Sequence, residues 1–317
     1  MENKKIIIGL GTFERPKMLK KCLLSLNEVK QPNDIDILLL VADNSTKNPS
    51  ISVLEEVKKT FSYNLSYLIV KEKGIVKMRN AILDFAKSES TDYLVFLDDD
   101  ELVEKNWLVE LFQFLIDKKA DAVSGMVVRK LPSNTPNWLI NAGFFNKVGG
   151  YTGKVLNSAS TSNVIIDFKK FTNEWNLRFD ERLNFFGSSD NLFFKQAYHK
   201  GAKILKNNNA KVTEIFPESR SNEGWLLQRK FRKGVTQIKR ENILYGKTLS
   251  FLNGFITIIA QYSKFLKYLI ISSVTSNYEK KREKKLHAQL ALQYYKGLLN
   301  GMFSKKPFEE YKQKHGY

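Results

Sequence analysis

Short apolar runs alternate with segments of helical period through the first two-thirds of the chain. Residues 5–12, 35–42, 65–70, 93–97 and 120–128 are near-continuous apolar stretches of strand length, the pattern of strands covered on both faces. Between them, residues 18–26, 50–61, 73–87 and 107–115 read as helices, with Pro16 near the start of the first, where a missing N–H costs least. Strands alternating with helices specify an α/β sheet that is at least partly parallel. Residues 161–166 return to strand, 168–171 begin a helix, and 203–205 and 211–215 read as two closing edge strands.

Two regions break the rhythm. From 131 to 161 the chain is irregular, with Pro132, Pro136, Gly143, Gly149, Gly150 and Gly153 among Trp138, Phe144, Phe145 and Tyr151. A loop of that length inside a compact domain is more often functional than structureless, here as an acceptor-side wall or hairpin. After Pro217 the composition shifts: Arg220, Arg229, Lys230, Arg232, Lys233, Lys239 and Arg240 crowd around an apolar stripe of Trp225, Leu226, Leu227 and Phe231. Residues 251–274 are largely apolar but interrupted by Gln261, Lys264 and Lys267. They fall short of the roughly 20 unbroken apolar residues of a membrane span. They suit either an amphipathic helix lying in a membrane interface or a core helix of a helical subdomain. The basic run 278–285 is a solvated helix face or a contact with anionic lipid. The expected division is an α/β domain over 1–217 and a basic helical region over 218–317.

Charge narrows the partners. Across 317 residues, 51 Lys and Arg oppose 33 Asp and Glu, a formal net charge of +18. That favours a polyanionic partner: nucleic acid, an anionic membrane surface or a phosphorylated ligand. The basic residues concentrate after Pro217 and no usual nucleic-acid recognition motif occurs, so nucleic acid is not expected. A lone cysteine, Cys22, excludes a disulfide framework and fits a reducing compartment. Met1-Glu2-Asn3 runs directly into a strand without a leader pattern. The expectation is a cytoplasmic protein, peripheral on the inner face of the membrane.

The chemistry centres on Tyr93-Leu94-Val95-Phe96-Leu97-Asp98-Asp99-Asp100-Glu101. Four carboxylates in a row where a buried strand emerges repel one another unless a cation joins them, and strand ends are where open α/β sheets bind ligands. On an extended backbone Asp98 and Asp100 lie on one side, a pair suited to a divalent metal. The alternative is an acidic first turn of the helix after Glu101. Asp43, at the end of the second strand, is a base or ribose ligand or a turn-forming Asx residue. Arg79 can reach a pyrophosphate at the sheet edge or be a solvated helix arginine. Asp190, after a glycine-serine loop, is a helix N-cap or a general base whose carboxylate the helix terminus keeps ionised. Gly9-x-Gly11 lacks the third glycine of a dinucleotide fingerprint.

Together these segments resemble the family 2 inverting glycosyltransferases over roughly residues 6–234, on motifs standing in the family's order. Gly11-Thr12-Phe13-Glu14-Arg15-Pro16 is similar to the first-strand motif against the nucleotide base, and Val41-Ala42-Asp43-Asn44-Ser45 to the segment whose aspartate contacts the nucleoside. Gly74 with Arg79-Asn80 matches the Arg-Asn pair near the nucleotide, and Asp98-Asp99-Asp100 the metal-binding DXD strand. Thr161-Ser162-Asn163, Phe179-Asp180-Glu181 and Gly187-x-x-Asp190 follow, with Asp190 where the family places its base. Arg229-x-x-Arg232-x-Gly234 resembles the basic motif that closes over the diphosphate. Ser189 departs from the pattern, standing where the family usually carries an acidic residue. Glu214 falls where some relatives place a histidine or glutamate, a further metal-side candidate.

The resemblance implies a GT-A fold: a Rossmann-like mixed sheet flanked by helices, with a C-terminal helical extension. It implies Asp190 as catalytic base, a donor site of Thr12, Phe13, Arg15, Asp43, Arg79, Asp99, Arg229 and Arg232, and Mg²⁺ or Mn²⁺ on Asp98 and Asp100. The donor would be a nucleotide-diphospho-sugar and the acceptor a glycan or lipid-linked hydroxyl in cell-surface polysaccharide or lipopolysaccharide synthesis. Two rivals remain: a nucleotidyltransferase, which would normally carry a glycine-rich phosphate loop where Thr12-Phe13-Glu14-Arg15-Pro16 stands, and a basic nucleic-acid-binding protein.

Overall fold

A computed structural model of the chain describes residues 4–45, 47, 50–145 and 149–304. Met1–Asn3, on which the leader reading rested, lie outside the described residues, as does part of the 131–161 loop. The first half follows the predicted alternation: β1 (Lys4–Thr12), α1 (Pro16–Asn27), β2 (Ile35–Asp43), α2 (Ser50–Lys58), β3 (Asn64–Ile69), α3 (Ile75–Ser88) and β4 (Tyr93–Asp98). Then come β5 (Glu101–Val103), α4 (Trp107–Asp117), β6 (Ala122–Lys130), α5 (Asn137–Asn141), β7 (Val155–Leu156) and β8 (Asn163–Asp167). The chain closes with α6 (Ser189–His199), β9 (Ile204–Ile215), α7 (Glu223–Val274) and α8 (Tyr278–Phe303).

The sheet runs β3-β2-β1-β4-β8-β6-β9-β5, with β7 also on β9. The β3-β2-β1-β4 half is parallel, and β8 joins β4 antiparallel, so the sheet is mixed. After β1 the chain moves outward to β2 and β3, then returns to β4 on the other side of β1. Strand order therefore reverses between β1 and β4, and their carboxyl ends open the crevice where such sheets bind ligands. Ile6, Ile8, Leu10, Val95 and Leu97 pack under α1 and α4, while Ile7, Leu94 and Phe96 pack under α3 and α6. Both faces being covered accounts for the unbroken apolar runs. Gly9 and Gly11 are small for packing reasons: a Cβ would meet Ile82 at 2.5 Å and Met78 at 2.2 Å, so they let α3 approach β1.

Several expectations change. Residues 203–205 and 211–215 are not edge strands. They belong to one strand, β9, which lies inside the sheet between β6 and β5. Its register on β6 shifts past Asn207-Asn208-Asn209, a polar break in which buried Asn207 accepts from the Asn209 N–H and donates to the Glu110 carbonyl. Glu101 does not open a helix, because Glu101–Val103 pairs antiparallel with β9 and α4 starts only at Trp107. The segment after Phe168 is a π-helical turn, Lys169–Glu174. Asn163, in the Thr161-Ser162-Asn163 motif, bolts three elements: its Oδ1 accepts from Trp107 Nε1 at 2.8 Å and its Nδ2 donates to the Ala210 carbonyl at 2.9 Å.

The aromatic loop has a packing role. Trp138, Leu139 and Phe145 form a third apolar cluster with Phe216, Leu226, Leu286 and Leu290, which joins the sheet to the C-terminal helices. Of these, α7 is not one rod. Gly246 has φ 80° and ψ 167°, and the chain reverses there, since Ser250 Oγ donates to the Ile238 carbonyl. The two arms of α7 flank α8, Glu223 pairing with Arg282 on one side and Tyr268 stacking on His287 at 4.8 Å on the other.

Glycines set the closeness of that bundle. A Cβ on Gly297 would fall 2.1 Å from the Phe231 carbonyl oxygen, and one on Gly234 2.4 Å from that of Tyr294. Alanine gains up to about 1 kcal/mol of helix propensity over glycine, but a backbone carbonyl does not yield, and overpacking costs roughly 1–3 kcal/mol. Gly297→Ala is therefore expected to lower the thermal midpoint by several degrees in a melt followed by circular dichroism. A raised midpoint would contradict the close crossing.

Candidate active site

The acidic tip sits at the β1–β4 crevice and is built from both strand ends. The backbone does not continue extended through Asp100: it turns at Asp99-Asp100 and re-enters the sheet at Glu101. The turn, rather than a pleat, sets Asp98 and Asp100 near each other. Thr12 Oγ1 donates to Asp99 Oδ2 at 2.8 Å. Arg15, just before α1, spans Asp99 and Asp100 at 3.2 and 3.3 Å. The buried Glu101 folds back to accept the Asp98 N–H at 3.2 Å. An intramolecular guanidinium thus supplies part of the cationic charge the run of carboxylates demands.

It does not supply all of it. Burial, reinforced by the Asp100 charge and opposed by Arg79, pushes Asp98 up to about 7. Burial raises Asp99 to about 6 against the pull of Arg15. Glu101 is held well above the usual carboxylate range by burial and then by Asp98. These are hard oxygen donors whose ionised forms lack compensation, the condition under which a divalent cation binds. Among the described residues no group of three or more His, Cys, Asp and Glu side chains forms a ready metal cage. Glu214 lies opposite Glu101 across β5 and β9, and its carboxylate is engaged by Arg129 Nε at 2.9 Å.

A basic wall faces the tip. Glu214 feels the charges of Arg129, Arg220 and Arg229 as well as of Asp100. Arg229 is pushed down to about 10, by burial first and then by Arg129, with Arg232 and Arg220 adding to it. Arg229 stacks on Trp225 at 4.9 Å and Arg129 on Phe216 at 5.6 Å. Arg229 and Arg232 are legible in the sequence. Arg129, on the polar end of β6, and Arg220, one of many in a basic run, are not. Three guanidiniums around Glu214, with Arg232 beside Arg229, leave a net positive surface that attracts phosphate oxygens.

Asp190 lies in the first turn of α6. The N-cap of α6 is Ser188, in the left-handed region at φ 67° after Gly187 at φ 80°, so Asp190 is not a cap. It is the second helical residue, accepting its neighbour's N–H (Asn191) at 2.8 Å. A hollow of about 360 Å³ lies beside it, lined by Ser158, Ser160, Asn191 and Lys206. Arg240, unassigned by the sequence, reaches Ser188 Oγ at 3.1 Å and senses the Asp190 charge. Arg79 is buried rather than solvated, donating to Ser189 Oγ at 3.0 Å and lying over Phe179 at 5.6 Å. The Arg79 charge also acts on Asp98, opposing the rise of its pKa.

The nucleoside-side residues form a third part. Asp43 is fully buried, accepting from the Ser45 N–H at 2.8 Å and from Tyr67 at 2.9 Å. The Asx-turn reading therefore holds for one of its oxygens. Ser45 Oγ accepts the Glu14 N–H at 2.7 Å, which ties this turn to Thr12, half-buried Phe13 and Arg15. Gly74, at φ 123°, admits Asn184, which a Cβ would strike at 2.1 Å. Asn80 and Phe179 exchange two hydrogen bonds of 3.0 Å, fixing α3 against the segment before α6.

Residues 8–175 match the profile of glycosyl transferase family 2. The succinoglycan biosynthesis protein ExoM of Rhizobium meliloti (strain 1021) is 28% identical over 235 residues, 74% of each chain. Among solved structures, a mannosyltransferase of Pyrobaculum calidifontis, in complex with GDP-Man and Mn²⁺, superposes with a TM-score of 0.62 at 13% identity, over 95% of this chain and 88% of that one. S. aureus TarS 1-349 gives a TM-score of 0.55 at 14% identity, over 93% and 90%. Against a longer TarS chain the match spans 55% of its length. These structural likenesses bear out the GT-A fold.

The raised acids set a pH dependence. A carboxyl with a folded pKa near 7 and an ordinary value of 3.8 costs stability increasingly as pH rises through that interval, and a constant amount above it. Without divalent cations, Asp98→Asn should gain thermal stability relative to the wild type as pH climbs from 3.8 to about 7, then level off. A difference in melting temperature that is flat across that window would contradict the strained tip.

Proposed function

The chain belongs to glycosyl transferase family 2 and is a glycosyltransferase; we propose that it moves a sugar from a nucleotide-diphospho-sugar to an acceptor hydroxyl, with metal assistance and inversion at the anomeric carbon. The observation that carries this reading is the pairing of a cation-seeking acidic tip with an arginine wall, while Asp190 stands at a separate hollow. Sugar nucleotides appear in the neighbours' complexes, GDP-Man with the mannosyltransferase and UDP or UDP-GlcNAc with TarS. That supports a donor of this class.

In this reading Asp98 and Asp100 would hold Mg²⁺ or Mn²⁺, with Glu214 a further candidate if Arg129 releases it, and such an ion would supply Lewis-acid charge against the departing diphosphate. Arg229 and Arg232, backed by Arg129 and Arg220, donate to the phosphate oxygens in fork geometry. Arg15, which contacts Asp99 and Asp100, would also stand within reach of a donor's phosphates, while Thr12 holds Asp99 in position. Phe13 and Asp43 line the nucleoside side, and Arg79 steadies Asp98 from behind. Asp190 takes the proton from the acceptor hydroxyl, which attacks the anomeric carbon opposite the leaving diphosphate. One displacement inverts the centre, and no glycosyl–enzyme intermediate forms.

The succinoglycan relative supports a polysaccharide-assembly role; a glycan or lipid-linked acceptor and a cytoplasmic, membrane-peripheral setting complete the proposed reading. Asp190→Asn is isosteric and is expected to retain donor binding while turnover falls by about 10²–10⁴. The assay is nucleoside diphosphate release from UDP- and GDP-sugars, with and without MnCl₂. Unchanged turnover removes Asp190 from the mechanism.

A further inference from the structure

The second arm of α7 wears its apolar side chains outward. Leu252, Phe255, Ile256, Ile259, Leu266 and Ile270 leave 41% to 66% of their surface exposed. The fully buried positions on the same arm are Ser250, Gly254, Ile258 and Ser272, small or polar apart from Ile258, with Phe265, Tyr268 and Ile271 half-buried beside them. A helix on a soluble protein's surface has the opposite polarity. Together with exposed Leu249, Tyr262 and Leu269 they fall on successive helical turns, so they form one stripe. From Leu249 to Val274 it is about 38 Å long at 1.5 Å per residue. Contiguous exposed apolar surface on this scale marks an interaction site.

The charge pattern selects the partner. No acidic residue occurs between Glu241 and Glu279, while Lys247, Lys264 and Lys267 fall inside that stretch. All three are exposed, as are Lys280, Lys281 and Lys285 at the start of α8, just past the stripe's end. A second copy of a +18 chain would bring lysines against lysines along this face. A bilayer span is the other use of such a helix, and by length and composition alone an 18-residue window of α7, mean hydropathy 1.4, qualifies. The arm, however, is committed on its inner side to α8, through Tyr268 on His287 and Tyr262 against Tyr295. A helix apolar on its outer side, packed on the other and flanked by lysines matches an interface-lying helix on anionic lipid.

We propose that the second arm of α7 is a docking surface for an anionic bilayer, its apolar stripe seated in the headgroup–acyl boundary and the lysines of α7 and α8 set against lipid phosphates. This gives the membrane-peripheral setting a definite face, and it is read without turnover, so failure of the transferase chemistry would leave it standing.

The test is flotation of the purified full chain with vesicles of phosphatidylglycerol and phosphatidylcholine. The chain should float with the mixed vesicles and bind pure phosphatidylcholine far more weakly, by roughly fivefold per engaged lysine. The double variant I256E/I259E, altered only at exposed positions, should keep the wild-type circular dichroism and lose at least tenfold in partitioning. K264E/K267E should weaken binding in a salt-dependent way. The proposal is overturned if the wild type stays in the soluble fraction with mixed vesicles, or if I256E/I259E floats equally well. It is also overturned if light scattering shows a dimer that I256E/I259E dissociates while vesicles bind neither protein, for then a second copy covers the stripe.

Discussion

Everything near the crevice is arranged around the mutual repulsion of Asp98, Asp99, Asp100 and Glu101. Two carboxylates about 5 Å apart repel by about 3 kcal/mol at an effective dielectric near 20, and four in succession at the mouth of a buried strand exceed what local hydrogen bonds offset. The fold answers with Thr12 and Arg15 from the β1–α1 corner, with Arg79 behind Asp98, and by folding Glu101 back onto the Asp98 N–H. The upward pKa shifts of Asp98, Asp99 and Glu101 come from burial first and from the neighbouring carboxylates after it, which these contacts do not cancel. A site that remains short of positive charge after recruiting its own arginines is tuned to take that charge from a ligand.

The wall opposite the tip depends on a different joint. Arg229 and Arg232 belong to the first arm of α7, Arg129 to β6, and Arg220 to the connection between sheet and helices. They converge because Trp138, Phe145, Phe216, Leu226 and Leu286 weld the aromatic loop to the helical bundle. Glycines at 234 and 297 let α7 and α8 approach closely enough to hold that arrangement. The irregular 131–161 loop thus has a packing role: its apolar residues Trp138, Leu139 and Phe145 help to position the arginine wall.

The parallel half of the sheet, the acidic tip and the arginine pair were readable in the chain because each is written in several consecutive residues. What escaped was written in single residues. Asn207-Asn208-Asn209 looks like a loop, yet its side chains replace the ladder bonds a bulged interior strand loses. Gly246 alone turns a long helical pattern back on itself, which no periodicity reports. Ser188, in the left-handed region after Gly187, takes the N-cap that sequence spacing offered to Asp190. Arg129 and Arg220 meet Glu214 only through tertiary packing, so nothing local marks them.

The claim on which the account turns is that the tip and the arginine wall together seat a metal-bridged diphosphate. Isothermal titration of UDP-sugars and GDP-sugars into the wild-type chain, once with MnCl₂ and once with EDTA, tests it most directly. Saturable donor binding that requires manganese is the predicted result. Donor binding of equal strength in EDTA, or none from either class with manganese present, would contradict it.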